Sequence, residues 1–171
     1  FAKALGNGYP ISAVIGRREI MDAAQDTFIS STMWTERLGF TAAIACLKKM
    51  DKQSVQEKLV DYGIKIKNGW TKASQEAGVK IKINGLNSIP SFSFVYDNST
   101  ELLTYFNQEM LDRGFLASGT VATTFAYADE IIDDYLNSVA EVFRKICDLD
   151  FSVKNHLNGP VKHTTFTRLT D

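Results

Sequence analysis

The chain has little of several things that would narrow its function at once. Among its 171 residues there are two cysteines, Cys46 and Cys147, both at apolar positions of predicted helices. They read as two buried thiols in a reducing compartment rather than as a disulfide scaffold. The two histidines, His156 and His163, fall in a polar tail, and they are too few and too far apart for a metal site. No apolar run approaches the roughly 18 residues that a spanning helix needs. Lys3 is followed by glycine-rich turn chemistry instead of the apolar stretch of a signal peptide, so the cytoplasm is the expected compartment. Charge of either sign is not in excess: 19 basic residues stand against 20 acidic ones, a net charge of −1. Nothing therefore favours nucleic acid or an anionic membrane as a partner. No internal repeat or low-complexity stretch is visible.

What is present is ordinary globular material, 44% hydrophobic and 23% charged, enough for one domain or two small halves. The chain opens on Phe1, inside an apolar run, so a C-terminal piece of something longer is expected. Residues 11–16, ISAVIG, read as a short buried strand, and Arg17 to Ala24 as a brief helix. The stretch FISSTMWTERLGF is irregular. Leu38 to Met50 is helical, with Ala and Cys on its inner face.

A composition shift at MDKQS marks a boundary, giving expected domains 1–52 and 53–150 and a tail 151–171. From Val55 the apolar positions 55, 59, 62, 66, 70 and 73 trace one face of a long helix, which Gly78 closes as a C-cap. Val79, Ile81 and Ile83 alternate with lysines, and Phe92, Phe94 and Tyr96 alternate beyond a turn, the pattern of two strands. Ser99 or Thr100 is the expected cap of a helix carrying Leu102, Leu103, Phe106 and Met110, ended by Gly114. A third strand is expected over about 115–125, then a helix from about Asp129 to Leu149. The acids Asp129, Glu130, Asp133 and Asp134 at its start and Arg144 and Lys145 near its end suit the helix dipole. Those acids lack the glycine and ligand spacing of a calcium loop, and GNG and SGT are too short for phosphate-binding fingerprints. The order α-β-β-α-β-α predicts an α/β (α+β) fold, a three-stranded sheet with helices against one face.

One residue stands out chemically. Lys3 is flanked by Phe1, Ala2, Ala4 and Leu5, apolar neighbours that would desolvate its ammonium and lower its pKa. Gly6 and Gly8 let the backbone turn sharply behind it, and Pro10 fixes the exit. Most lysines are solvated surface groups, but one so placed can be a Schiff-base nucleophile or a proton shuttle.

The segment KALGNGYPISAVIG resembles the cofactor-lysine segment of class III (fold type I) aminotransferases, which use pyridoxal phosphate (PLP). In that family a lysine is followed by a Gly-x-Pro turn, a small residue and a glycine, and Lys3, Gly8, Pro10, Ala13 and Gly16 occupy those positions. SSTMWTERLGFTAA is similar to a second family segment, in which a threonine donates to the cofactor phosphate across a dimer interface. Thr32 falls on it, with Ser31 beside it. Trp34, Thr35, Glu36 and Arg37 replace the usual Gly-Gly-Asn-Pro, a departure that resembles the branch near glutamate-1-semialdehyde 2,1-aminomutase. RGFLAS and FAYADEIIDD continue the likeness into the small domain, with Tyr127 where a histidine is frequent, and NGPVKHTTFTRLT is similar to tails of that branch.

The resemblance implies that residues 1–52 end a large PLP-binding domain and that 53–150 form the small C-terminal domain. It implies a homodimeric aminotransferase or 2,1-aminomutase acting on a small-molecule amino donor and acceptor: an amino acid, a semialdehyde or a keto-sugar. Lys3 would be catalytic and hold PLP. Ser31 and Thr32 would bind its phosphate, while Trp34 and Arg37 would meet the substrate, with no metal. The family's glycine-rich phosphate loop, ring-stacking aromatic and acidic partner of the ring nitrogen lie upstream of its lysine, so this piece alone is expected to be inactive. An epimerase or decarboxylase of the same fold, or a non-catalytic module binding a protein partner, would share the same stretch. The module would have no use for Lys3.

Overall fold

The structure, a computed structural model, describes residues 1–33 and 35–163. The chain divides into two compact units, Phe1–Val55 and Gln56–Asp171. Its elements are α1 (Arg18–Met21), α2 (Arg37–Lys52), α3 (Val55–Ala77), β1 (Ile81–Leu86), β2 (Ile89–Phe94), α4 (Ser99–Asp112) and α5 (Asp129–Asp148), with single 3₁₀ turns at Lys3–Leu5, Asp22–Asp26 and Lys154–His156. Mixed helices and a small antiparallel sheet make this an α+β architecture.

The second unit is built around an aromatic core. The apolar stripe of α3 points Tyr62, Ile66, Trp70 and Ala73 inward, and all four are buried. β1 and β2 form an antiparallel hairpin in which Ile81 pairs with Phe94 and Ile83 with Phe92. Alternation sends Phe92 and Phe94 to the core face. There the Phe92 ring meets Trp70, Phe106 of α4 and Phe143 of α5 edge-on, at 4.9, 5.2 and 5.8 Å between centroids. Such pairs add about 0.5–1.5 kcal/mol each beyond the area they bury, which makes Phe92 the hub joining sheet to helices.

Three helices of this unit end in one motif. After α3, the Val79 N–H reaches back to Ser74 O at 2.9 Å and the Gly78 N–H to Gln75 O at 3.3 Å. After α4, Phe115 and Gly114 repeat the pair on Met110 and Leu111, and after α5, Phe151 and Asp150 repeat it on Ile146 and Cys147. This is the Schellman closure, which needs a left-handed residue at its corner. Gly78 (φ +68°) and Gly114 (φ +85°) take it without strain, whereas Asp150 takes it at φ +49° with a Cβ.

Several expectations need correction. The third strand is reduced to one bridge, Ser91 to Thr120, with Phe92 N–H on Gly119 O and Val121 N–H on Pro90 O. The next rung would need a donor at position 90, and proline has none. The sheet is therefore two-stranded. ISAVIG is no strand: beyond its reciprocal pairing with Phe1, the Ala13 N–H donating to Phe1 O at 2.7 Å and the Phe1 amino group to Ala13 O at 2.6 Å, it has no ladder partner among the described residues, and Val14 and Ile15 are exposed. α4 starts at Ser99 itself, with Asn98 as its N-cap, and the Asn98 side chain bonds Phe151 O instead of the helix. Cys147 is exposed and Cys46 half-buried, not two buried thiols.

The segment after 150 is also not a free tail as far as residue 163. Val153 is fully buried, Phe151 stacks on Tyr96 at 4.6 Å, and Gln108 of α4 bonds both His156 O and the Asn158 N–H. Its end, from residue 164 on, lies outside the described residues.

Candidate functional site

Lys3 sits in the 3₁₀ turn Lys3–Leu5 with its backbone at φ +52°, a left-handed conformation that a side chain disfavours. The turn is closed by Leu5 N–H on Ala2 O and Asn7 N–H on Ala4 O. Asn7 and Gly8 continue it at φ +45° and +109°. The expected desolvation is not found: Lys3 is exposed, and so are Phe1, Ala2 and Ala4. Its ammonium has no hydrogen-bond or ion-pair partner among the described residues. The turn leaves the Lys3 side chain exposed.

Ser31 and Thr32 lie together in a different place. An open cleft of about 810 Å³ in the first unit is walled by Pro10, Ile11, Val14, Met21 and Phe40, with Ser30, Ser31 and Thr32 along one side. Both hydroxyls are exposed, and neither makes a hydrogen bond among the described residues. Lys3 does not line this cleft. Glu36 does, but its carboxylate is engaged as the cap of α2, accepting the Leu38 N–H at 3.0 Å. Arg37, the first residue of α2, is exposed and its side chain has no partner among the described residues. Trp34 lies outside the described residues.

Sequence reasoning missed the densest charge cluster. Glu109, buried on α4, accepts from Arg113 at 2.9 Å and from Lys145 of α5 at 2.8 Å, and Arg113 also reaches Glu141 at 3.3 Å. Burial pushes the Glu109 carboxyl up, but the bonds from Lys145 and Arg113 outweigh it and hold its pKa below the usual carboxylate range. Burial and the neighbouring Glu109 push the Tyr105 phenol up to about 12. The i, i+4 spacing of Glu109 and Arg113 was the available signal. The cluster ties α4 to α5, and none of its residues lines the cleft that holds Ser31 and Thr32.

No helix among the described residues is long and apolar enough to cross a membrane, and no group of three or more metal-ligating side chains occurs among them.

No family model matches the chain. An aminopentol aminotransferase of Sphingopyxis macrogoltabida is 32% identical over 97 residues, which are 57% of this chain and 23% of that protein. The FumI protein of Sphingopyxis sp. MTA144, solved in its PLP internal aldimine form, matches with a TM-score of 0.77 and 24% identity over 86% of this chain and 36% of its own. A transaminase with PLP bound matches at 0.71 and 22%, over 85% of this chain and 37% of its own. An omega-transaminase from Sphaerobacter thermophilus matches at 0.73 and 15%, over 82% and 36%. The chain thus spans about a quarter of the curated relative and somewhat over a third of the solved structures. It has the fold of one part of the PLP-dependent transaminases.

Proposed function

We propose that the chain is the lysine-bearing portion of a pyridoxal-phosphate-dependent aminotransferase that works as a homodimer, with Lys3 holding the cofactor. One observation carries the reading. In a chain with the fold of one part of PLP-bound transaminases, Lys3 is held at φ +52° with an exposed amine that has no partner among the described residues. A side-chain-bearing residue in the left-handed region costs about 1–3 kcal/mol, and such strain concentrates at functional sites. A module that merely bound a protein partner would have no use for it.

The residues fit the cofactor by their chemistry. Lys3 offers an unengaged amine to its aldehyde. Ser31 and Thr32 offer two unengaged hydroxyls, adjacent in an open cleft, to its phosphate. Lys3 is not among the residues lining that cleft, and on this reading the amine and the hydroxyls of one chain serve different sites, as in a dimer where each copy lends its hydroxyls to the other. When bound, PLP supplies an electron-poor ring that takes up the electron pair left at the substrate Cα. Lys3 Nζ would take the Cα proton and return it, so the same amine serves as anchor and as base. Arg37, exposed and unpaired among the described residues, would hold a substrate carboxylate. The name of the curated relative supports transfer of an amine between two molecules over its migration within one.

The test is chemical trapping. Borohydride reduction of the natural, PLP-loaded protein followed by peptide mass mapping should place the pyridoxyl group on Lys3. A group on another lysine, or none, would remove the reading.

A further inference from the structure

A second cleft, of about 310 Å³, lies within the second unit between the segment 114–122 and the first turns of α5. Its wall is formed chiefly by Ile66, Phe115, Ala117, Val121, Tyr127 and Tyr135. At about 30 Å³ for a water-sized group it admits on the order of ten non-hydrogen atoms.

Two phenols, those of Tyr127 and Tyr135, line it. The Tyr135 oxygen accepts the Trp70 indole N–H at 3.1 Å. An indole only donates, so the hydrogen of the Tyr135 hydroxyl remains unused, and no acceptor takes it among the described residues. Tyr135 is buried, which pushes its pKa up more than the Trp70 bond lowers it, with Tyr127 adding to the rise, and the hydroxyl stays a donor. The Tyr127 hydroxyl reaches Ala122 O only at 3.5 Å, the outer limit of a hydrogen bond. The rim is acidic. Asp129 and Glu130 lie between the lining residues Tyr127 and Ile131, and Lys65 is already committed to Asp133 at 2.7 Å and Asp129 at 3.7 Å. A cleft with mostly apolar side-chain walls and a spare buried donor suits an acceptor oxygen on an apolar body, and disfavours an anion because one hydroxyl does not offset the loss of its hydration.

We propose that this cleft binds an uncharged small molecule whose apolar body fills it and whose carbonyl oxygen accepts the Tyr135 O–H. The proposal stands on the second unit alone and does not depend on the role of Lys3.

The probe is methyl hexyl ketone, titrated into the full chain, with the Trp70 indole N–H peak followed in a nitrogen–proton correlation spectrum. A Trp34→Phe background leaves that peak as the one indole signal. The expected result is a saturable shift, because a ligand on the Tyr135 O–H changes the oxygen to which Trp70 donates. Tyr135→Phe should weaken binding about 3- to 10-fold, the share of one net hydrogen bond. Val121→Phe, which fills the cleft and leaves the Trp70–Tyr135 bond intact, should abolish it. Octanoate should give no shift over the same range. The proposal is overturned if the ketone gives no saturable shift, if Val121→Phe binds as the parent does, if a folded Tyr135→Phe loses no affinity, or if octanoate binds as well as the ketone.

Discussion

Replacing Gly63 by alanine separates two physical effects by the sign of the outcome. Gly63 lies in the interior of α3, and by intrinsic propensity alanine there should stabilise the helix by about 1 kcal/mol. The structure predicts the reverse. A Cβ on Gly63 would stand 1.4 Å from the carbonyl oxygen of Asn87 and 2.6 Å from its carbon. Asn87 is in the turn between β1 and β2, just past the last pair, Leu86 with Ile89. To restore even 3.0 Å, this backbone must retreat by 1.6 Å. The turn is not free to do so, since Lys67 of α3 clamps it through Gly85 O at 2.8 Å and Asn87 Oδ1 at 3.0 Å. Overpacking costs about 1–3 kcal/mol, and a clash with clamped backbone belongs at the upper end. After the propensity gain, a net loss of about 2 kcal/mol is expected.

Gly69, six residues further along α3, is the internal control. The atoms nearest its added Cβ are side-chain carbons of Leu136, at 2.5 Å, and a leucine can change rotamer. Gly69→Ala should cost less than half as much. Urea unfolding read by Trp70 fluorescence, in the Trp34→Phe background, measures both. A Gly63→Ala chain as stable as its parent, or more stable, would refute the close approach of the hairpin to α3.

Asp150 stands where Gly78 and Gly114 stand at the ends of the other two helices. Asp150→Gly should therefore stabilise the second unit by about 0.5–1 kcal/mol, seen as a higher melting midpoint in calorimetry; an unchanged midpoint counts against strain at that corner. Glu109→Gln should cost about 1–2 kcal/mol at neutral pH, a figure discounted because Lys145 is half exposed. Because the folded-state pKa of Glu109 is depressed, its contribution is fully present above the unfolded value of about 4.3 and is lost as pH falls through the lower folded value. The stability gap between parent and variant should be flat from pH 7 to about 5 and close below about 4, and a gap that persists in acid would show that packing, not charge, holds the site.

The second unit was the legible one because its signals are periodic and self-consistent. The 3- and 4-residue spacing in α3 and the alternation of Phe92 and Phe94 each named residues that are buried. The segment 115–125 shows both the strength and the limit of such reading. Its odd positions are the more buried ones throughout, as in a strand, yet Pro90 on the neighbouring β2 cannot donate the rung that would extend the ladder. Burial follows side chains, while pairing follows donors, and only the first is written in a hydropathy pattern. Likewise Asn98 has the composition of a cap but spends its amide on Phe151, a contact 53 residues away that no local pattern contains.

In the first unit local signals misled for a different reason. ISAVIG is apolar enough for a buried strand, but burial needs something to bury against. Among the described residues of this unit the buried hydrophobic side chains are few, Ala43 and Val55, while Phe28 and Val14 are 95% and 82% exposed. A core that closes, like the one around Phe92, makes its unit independent of context. On the proposed reading, the large apolar side chains that this unit leaves uncovered pack against the partner copy. The cleft holding Ser31 and Thr32 is walled by this same uncovered material, Val14, Ile29 and Phe40. On the proposed reading, the surface that covers those side chains and the surface that completes the phosphate site are one and the same. Dimer formation and cofactor retention should then fail together when Phe40 is replaced by aspartate, whereas loss of only the Thr32 hydroxyl should weaken cofactor retention and leave the dimer intact.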